Sequence, residues 1–288
     1  MDKRLFCFGF GFTARQIATD FPNWRVMGTG RSPADDATQR GIPLYPFRRD
    51  QRIENFNDIA ADVTHILLSI PPDEMGDPVY DVMASELLRL KNLQWVGYLS
   101  TTGVYGNFNG GWVDEESPYN PSGERGGRRM RAEQAWLSLY EANDLPVHIF
   151  RLPGIYGPGR NQLVSLKKGK ARRIAKPGQI FSRIHVADLA AILMTSMEKP
   201  NPGAIYNIAD DEPAPPQDVV AYAAELLGIA PPPLIDFEDA DLSPMARSFY
   251  LDSKQVSNAK IKSELGISLK FPTYREGLAA LLDGEIGI

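Results

Sequence analysis

Short apolar runs alternate along the chain with stretches in which apolar residues recur every three or four positions. Residues 5–8, 24–28, 65–70, 95–100 and 147–152 form the runs and predict strands. The runs are continuously apolar, as suits strands covered on both faces. Between them, Val79, Val82, Met83, Leu87 and Leu90 fall on one face of a predicted helix. Residues 131–140 and 186–197 show the same period. Strand–helix alternation of this kind predicts an α/β fold built on a doubly wound parallel sheet.

The texture changes after about Ala209. Pro213, Pro215 and Pro216 open a predicted helix around 219–227, and Gly228 followed by Pro231 closes it. Residues 252–265 predict a second helix, with Asp252 as its N-cap and Gly266 as its stop. Thr273-Tyr274-Arg275-Glu276 reads as a capping box for a last helix through Leu282. The expected organisation is a sheet domain over 1–160, completed by about 180–210. A smaller, mainly helical C-terminal lobe over 211–288, joined by about 161–179, lies on the substrate side. No internal repeat or low-complexity tract interrupts the chain.

The first strand runs into Phe8-Gly9-Phe10-Gly11-Phe12-Thr13-Ala14, a G-x-G-x-x-A turn before a helix-compatible stretch over 13–20. That context is the one a dinucleotide fingerprint requires. Gly9 permits the tight turn, Gly11 lets backbone approach a pyrophosphate, and Ala14 lets helix pack close to strand. The helix start, with Phe12 and Thr13, offers free N–H groups and a positive dipole end to phosphates. The sheet is therefore expected to be Rossmann-type. About 20 residues beyond the turn an NAD-selective site carries an acid on the ribose hydroxyls. Here the stretch is Val26-Met27-Gly28-Thr29-Gly30-Arg31-Ser32, without an acid. Arg31 and Ser32 suit a 2′-phosphate through charge-assisted hydrogen bonds, which favours NADP over NAD as the cofactor.

The chain has 288 residues, 43% of them hydrophobic and 23% charged, as in an ordinary soluble globular protein. A formal net charge of −5 argues against nucleic acid as the main partner. No run is long enough for a membrane span. Lys3 and Arg4 precede an apolar run, but that run is short and glycine-rich, and reads as the first strand and not a leader. One cysteine, Cys7, allows no disulfide framework, which points to a reducing, cytoplasmic setting. His65, His148 and His185 lack metal-ligand spacing, so no metal is expected. Arg125, Arg128, Arg129 and Arg131 form one basic cluster, and 167–173 a second. The second reads as a solvated face, whereas Arg125 and Arg129 suit an anionic, small-molecule substrate.

Five further segments, in order, resemble the extended branch of the short-chain dehydrogenase/reductase superfamily, which includes nucleotide-sugar epimerases and dehydratases. Leu99-Ser100-Thr101-Thr102-Gly103-Val104-Tyr105-Gly106 resembles that group's S-S-x-x-V-Y-G. Arg151-Leu152-Pro153-Gly154-Ile155-Tyr156-Gly157-Pro158 resembles its R-x-x-x-x-Y-G-P. Phe181 to Asp188 is similar to F-x-x-x-H-V-x-D, Tyr206-Asn207-Ile208 to Y-N-V, and Asp252-Ser253-Lys254 with Leu265-Gly266 to D-x-S-K…L-G. The resemblance implies that Ser69, Ser100 and Pro153 lie beside the dinucleotide. It also places Thr101 at the family's Ser/Thr position, where it would orient a carbonyl. A nucleotide sugar is the implied substrate, and a homodimer stays open.

The resemblance departs from the family at the chemistry. Such enzymes carry a Tyr-x-x-x-Lys pair followed by a glutamate. Anchored on Glu133, with Pro121 upstream, the tyrosine position is Arg125 and the lysine position Arg129. A guanidinium has no accessible neutral form, so Arg125 cannot act as a general acid near neutral pH. Tyr105, Tyr119, Asp114, Glu115 and Glu116 are the neighbouring alternatives, with Tyr105 read as packed. Two functions follow from different classes. One is an NADP-dependent oxidoreductase or epimerase-like enzyme with a non-standard site. The other is a non-catalytic redox sensor that binds NADP(H), and an intact glycine turn disfavours a ligand-free role.

Overall fold

The computed structural model describes residues 3–30 and 41–286, with side chains as far as 284. The chain divides into two compact units. One comprises Met1–Thr101, Gly127–Arg151 and Leu189–Tyr206, the other Thr102–Gly126, Leu152–Asp188 and Asn207–Ile288.

A seven-stranded parallel sheet organises the first unit. Its strands are β1 (Arg4–Phe8), β2 (Arg25–Gly30), β3 (Leu44–Pro46), β4 (His65–Leu68), β5 (Trp95–Thr101), β6 (Val147–Leu152) and β7 (Ile205–Asn207). The helices associated with it are α1 (Phe12–Asp20), α2 (Phe56–Ile59), α3 (Pro78–Leu87), α4 (Glu124–Asn143) and α5 (Val186–Glu198). The order across the sheet is β7-β6-β5-β4-β1-β2-β3. Leu5 of β1 sits between Val26 of β2 and His65 of β4. This is the Rossmann-like α/β arrangement expected, together with a smaller C-terminal part beyond β7. The apolar runs are buried because helices cover both faces. On one face Phe6, Phe8, Ile66, Tyr98 and Ile149 pack with Val82, Met83 and Trp136 of α3 and α4. On the other, Trp95 Nε1 donates to Ser196 Oγ of α5 at 3.1 Å. β3 was not expected; three half-buried or exposed residues give too short an apolar run to stand out.

Helix α4 presents Arg129, Ala132, Glu133 and Trp136 at helical spacing, a polar seam on an otherwise buried face. Arg129 Nη1 donates to the Leu99 carbonyl, and to the Tyr98 hydroxyl at 3.3 Å. One turn further on, Glu133 accepts from the Ser100 hydroxyl and from Arg151 Nε and Nη2, at 3.1 and 2.9 Å. The Arg151 and Glu133 side chains are 2% and 0% exposed. Consecutive residues of β5 are thus gripped by one face of α4, and β6 is tied in through Arg151.

In the second unit, the parallel strand pairs Gly154–Tyr156 with Arg183–His185, Arg173–Ala175 with Leu234–Asp236, and Trp112–Val113 with Gln255–Val256 replace a large sheet. Its helices Gln162–Lys167, Pro216–Leu226 and Tyr274–Ile286 share a core of Leu163, Val219, Ala223, Tyr274 and Leu278. The expected helix over 252–265 is corrected here. Gln255 N donates to Gly111 O and Ser257 N to Val113 O, both at 2.9 Å, so this stretch is drawn into a strand ladder. The helix is only Ala259–Leu265, closed by Gly266 at φ +69° as expected. The Thr273–Glu276 capping box forms, with Thr273 N bonded to Glu276 Oε2 at 3.1 Å.

Removing one member of the buried pair leaves an uncompensated charge, whereas removing both does not. Arg151→Met is expected to lose roughly 3–5 kcal/mol in urea unfolding, and Glu133→Leu/Arg151→Met distinctly less. Equal losses would show that the Glu133 carboxylate needs no countercharge.

Candidate functional site

The sheet order reverses between β1 and β4, and ligands of open α/β sheets bind beyond the carboxyl ends of the strands at such a point. Beyond β1 the chain turns at Gly9, whose φ is +92°. A Cβ there would stand 2.6 Å from Ser69 Oγ, so the left-handed turn and the steric fit both call for glycine. The turn is held from two sides. Gly9 N donates to Thr29 Oγ1 at 2.8 Å from β2, and Ser69 Oγ donates to Gly9 O at 2.7 Å from the end of β4.

Gly11 then serves as N-cap of α1 without a side-chain cap, and the first turn of α1 carries no acid. A Cβ on Gly11 would meet no protein atom within 4 Å. An uncapped helix start with an open face above it fits an anionic pyrophosphate. Phe12 is half-buried and Thr13 buried at the start of the helix. These residues fit a dinucleotide; Arg31 and Ser32, read as the 2′-phosphate contacts, lie outside the described residues.

The other predicted positions separate into two groups. Ser69, Ser100, Thr101 and Arg129 belong to the first unit, and Arg125 and Pro153 to the second. Ser100 is buried with its hydroxyl directed to Glu133, and Thr101 ends β5 half-buried. Arg129 is half-buried, with its guanidinium carbon 5.5 Å from the Tyr98 ring. Arg125 is exposed, and its guanidinium carbon lies 5.1 Å from the Phe249 ring.

Three of the neighbouring groups, on Tyr105, Glu115 and Asp114, hold structure. Tyr105 is buried and its hydroxyl donates to Asn207 Oδ1 at 2.7 Å. Glu115 accepts from Asn207 N at 2.7 Å, and Asp114 accepts from Glu116 N and Ser117 Oγ within its own turn.

A protein-family model, the NAD-dependent epimerase/dehydratase family, matches residues 78–209. A solved structure described as a functionally unknown conserved protein from Silicibacter pomeroyi DSS is 49% identical. It has a TM-score of 0.87, and the match covers 98% of this chain and 99% of that one. The chain belongs to the NAD-dependent epimerase/dehydratase family. Protein YeeZ of Escherichia coli K12 is 26% identical over 94% of this chain and 97% of its own. The dTDP-glucose 4,6-dehydratase from Bacillus anthracis strain Ames, solved in complex with NAD, shares the fold. Its TM-score is 0.79 at 18% identity, over 100% of this chain and 97% of that one.

Within this family member, burial acts on the three histidines and on the tyrosines Tyr98 and Tyr156. Burial pushes His65, His148 and His185 down to about 4, so all three rings are neutral at pH 7. Burial also raises the Tyr98 and Tyr156 hydroxyls well above the usual phenol range. Among the described residues no group of three or more His, Cys, Asp or Glu could hold a metal. No helix among them is long and apolar enough to cross a membrane. The second basic cluster is largely exposed, as a solvated face requires.

Sequence reasoning missed Thr29, the brace on Gly9, and Asp77, which caps α3 by accepting from Val79 N and Tyr80 N at 2.9 and 3.0 Å. Asp77 had a signal: an acid directly before a helix-opening proline. It also missed Asp210, which is buried in the second unit. Burial lifts its carboxyl to about 8 against the nearby Arg183 guanidinium, and Oδ2 has no hydrogen-bond partner.

These shifts give two opposite pH limbs. The histidines are held below their unfolded value, so their contribution is present above about pH 6.5 and is lost as pH falls through 4. Asp210 is held above its unfolded value, so its contribution is present below 3.8 and is lost as pH rises through about 8. Melting temperature followed from pH 5 to 9 is expected to fall less steeply toward high pH in Asp210→Asn than in the wild type. Parallel curves would show that Asp210 is ionised in the folded as in the unfolded state over this range, its carboxyl not being raised by burial.

Proposed function

We propose that this chain is an NAD(P)-binding oxidoreductase or epimerase/dehydratase-like enzyme with a non-standard acid–base centre. The observation that carries this reading is the glycine turn. It is braced by Thr29 and Ser69, with an uncapped helix start and open space above Gly11. In this reading Gly9, Gly11, Phe12 and Thr13 bind the pyrophosphate, while Ser69 and Ser100 line the remainder of the site. The lack of an acid after Met27, and Arg31 with Ser32 in its place, favour NADP over NAD. A bound nicotinamide supplies hydride transfer to or from a carbon of the substrate.

Thr101 orients a substrate carbonyl or hydroxyl through its own hydroxyl. Arg125 and Arg129 bind negative charge and do not move a proton, because a guanidinium stays charged. An anionic substrate follows, and a sugar nucleotide is the class suggested by the name of the dTDP-glucose dehydratase that shares the fold.

A second reading is a non-catalytic NADP(H)-responsive protein. It is favoured by the same two arginines, since the Arg129 Nη1 donor is bonded to the Leu99 carbonyl. A ligand reports redox state only if its oxidised and reduced forms bind with different affinity.

Calorimetric titration with NADP⁺, NADPH, NAD⁺ and NADH tests the dinucleotide site. Gly11→Ala is expected to cost less than about 1 kcal/mol of stability, since its Cβ has room. The same change is expected to weaken binding about tenfold or more by obstructing the pyrophosphate. Arg31→Ala is expected to weaken only the phosphorylated pair. No binding by any of the four would overturn both readings. Consumption of reduced dinucleotide with a sugar nucleotide would favour the enzyme. Binding of the reduced and oxidised forms with unequal affinity, without turnover, would favour the sensor.

A further inference from the structure

The loop after β4 begins at Ser69, which bonds Gly9, and ends at Asp77, which caps α3. Ile70 N would stand 3.4 Å from a Cβ on Gly9, so the loop backbone lies against the glycine turn. Between these ends the loop has little apolar burial: Pro71 and Glu74 are exposed, and Met75 is 78% exposed. Its conformation rests on a polar clamp.

The turn formed by residues 48–51, closed by Arg48 N to Gln51 O and Gln51 N to Arg48 O at 3.2 and 3.0 Å, holds out Arg49. Arg49 Nε and Nη2 grip the two oxygens of Asp73 at 2.9 and 2.7 Å. Nη2 also donates to Gly76 O at 3.0 Å, and Nη1 reaches Asp81 on α3. Asp73 in turn accepts from Met75 N at 2.8 Å, and its own N–H donates to Gly76 O at 2.9 Å. One guanidinium therefore closes the tip of the loop and fastens it to α3.

We infer that Arg49 is a positioning residue for dinucleotide binding: by clamping Asp73, Gly76 and Asp81 it holds the loop 69–77 in place beside the glycine turn. This rests on the dinucleotide reading above. The clamp needs a planar, forked donor that meets both carboxylate oxygens of Asp73 and still reaches Asp81. A lysine supplies the charge without the fork.

The test measures dissociation constants for NADP⁺ and NAD⁺, with melting temperatures, on the full chain and on Arg49→Met, Arg49→Lys, Asp73→Asn and Arg49→Met/Asp73→Asn. Arg49→Met and Asp73→Asn are each expected to raise the constant about fivefold or more, with the double variant no worse than either single one. Arg49→Lys should recover only part of the loss. Asp73→Asn separates positioning from attraction. It removes a negative charge and so would strengthen binding if Arg49 acted only by drawing in phosphate. Amide exchange over 70–76 should be slowed by dinucleotide in the wild type, and faster without it in Arg49→Met.

An unchanged constant in Arg49→Met, or tighter binding in Asp73→Asn, would overturn the inference while leaving the dinucleotide site standing. Absence of binding in the wild type would instead overturn the reading beneath it. Should Arg49→Met fail to fold, Arg49→Lys and Asp73→Asn decide the matter by the same criteria.

Discussion

Buried inside the first unit, Glu133 and Arg151 form a charged pair shielded from water, with the Ser100 hydroxyl as a further partner of the carboxylate. Taking two charges out of water is costly, and their mutual attraction offsets that cost only when geometry and remaining hydrogen bonds are satisfied. The pair therefore works as a constraint on register more than as a source of stability. Slipping α4 by one residue would carry Glu133 away from Arg151 and leave both charges buried alone. It would also carry Arg129 away from the Leu99 carbonyl, since the two side chains lie on one face of the helix. Position along β5 is thereby coupled to position along α4, and Thr101 is the next residue after the grip on Ser100.

The glycine turn solves a different problem. Ser69 and Ile70, just past β4, approach the loop beyond β1 so closely that Gly9 has no room for a side chain. That crowding is on the protein side. The side facing away is open above Gly11, where α1 starts without a cap. Bracing from Thr29 and Ser69 together with an open helix start that lacks a side-chain cap is the arrangement that binding a phosphate group favours, because little ordering remains to be done on association.

The α/β class, five of the sheet strands and the glycine turn were legible in the sequence, because buried strands write themselves as continuous apolar runs. The stretch 252–265 was misread for a physical reason. Its spacing suits a helix, but strand hydrogen bonds to Gly111 and Val113, far away in sequence, capture the backbone first. Similarly, Glu133 served to align the Arg125–Arg129 stretch, while its burial against Arg151 became visible only once α4 and β6 were placed. Arg49 carried no signal at all. Its two carboxylate partners lie 24 and 32 residues away, and nothing local distinguishes it from the solvated arginines around it.

Arg129 shows most directly what has been gained and lost at the position where the resemblance expects lysine. An ammonium is a compact charge with three rotatable donors, free to serve a ribose and to lower a neighbouring phenol's pKa. The guanidinium is longer and forked, and here one arm reaches the Leu99 carbonyl while the plane lies over Tyr98. That bond fastens the helix to the strand. Such a residue keeps the positive charge of the position, but its geometry is fixed by the fold and not by a catalytic partner. With Arg125 in place of the tyrosine, the phenol that Arg129 bonds is that of Tyr98, which burial holds well above the usual phenol range. Charge without a titrating partner can select and orient an anion, so proton transfer, where a substrate requires it, has to come from the substrate, from water or from a group outside this pair.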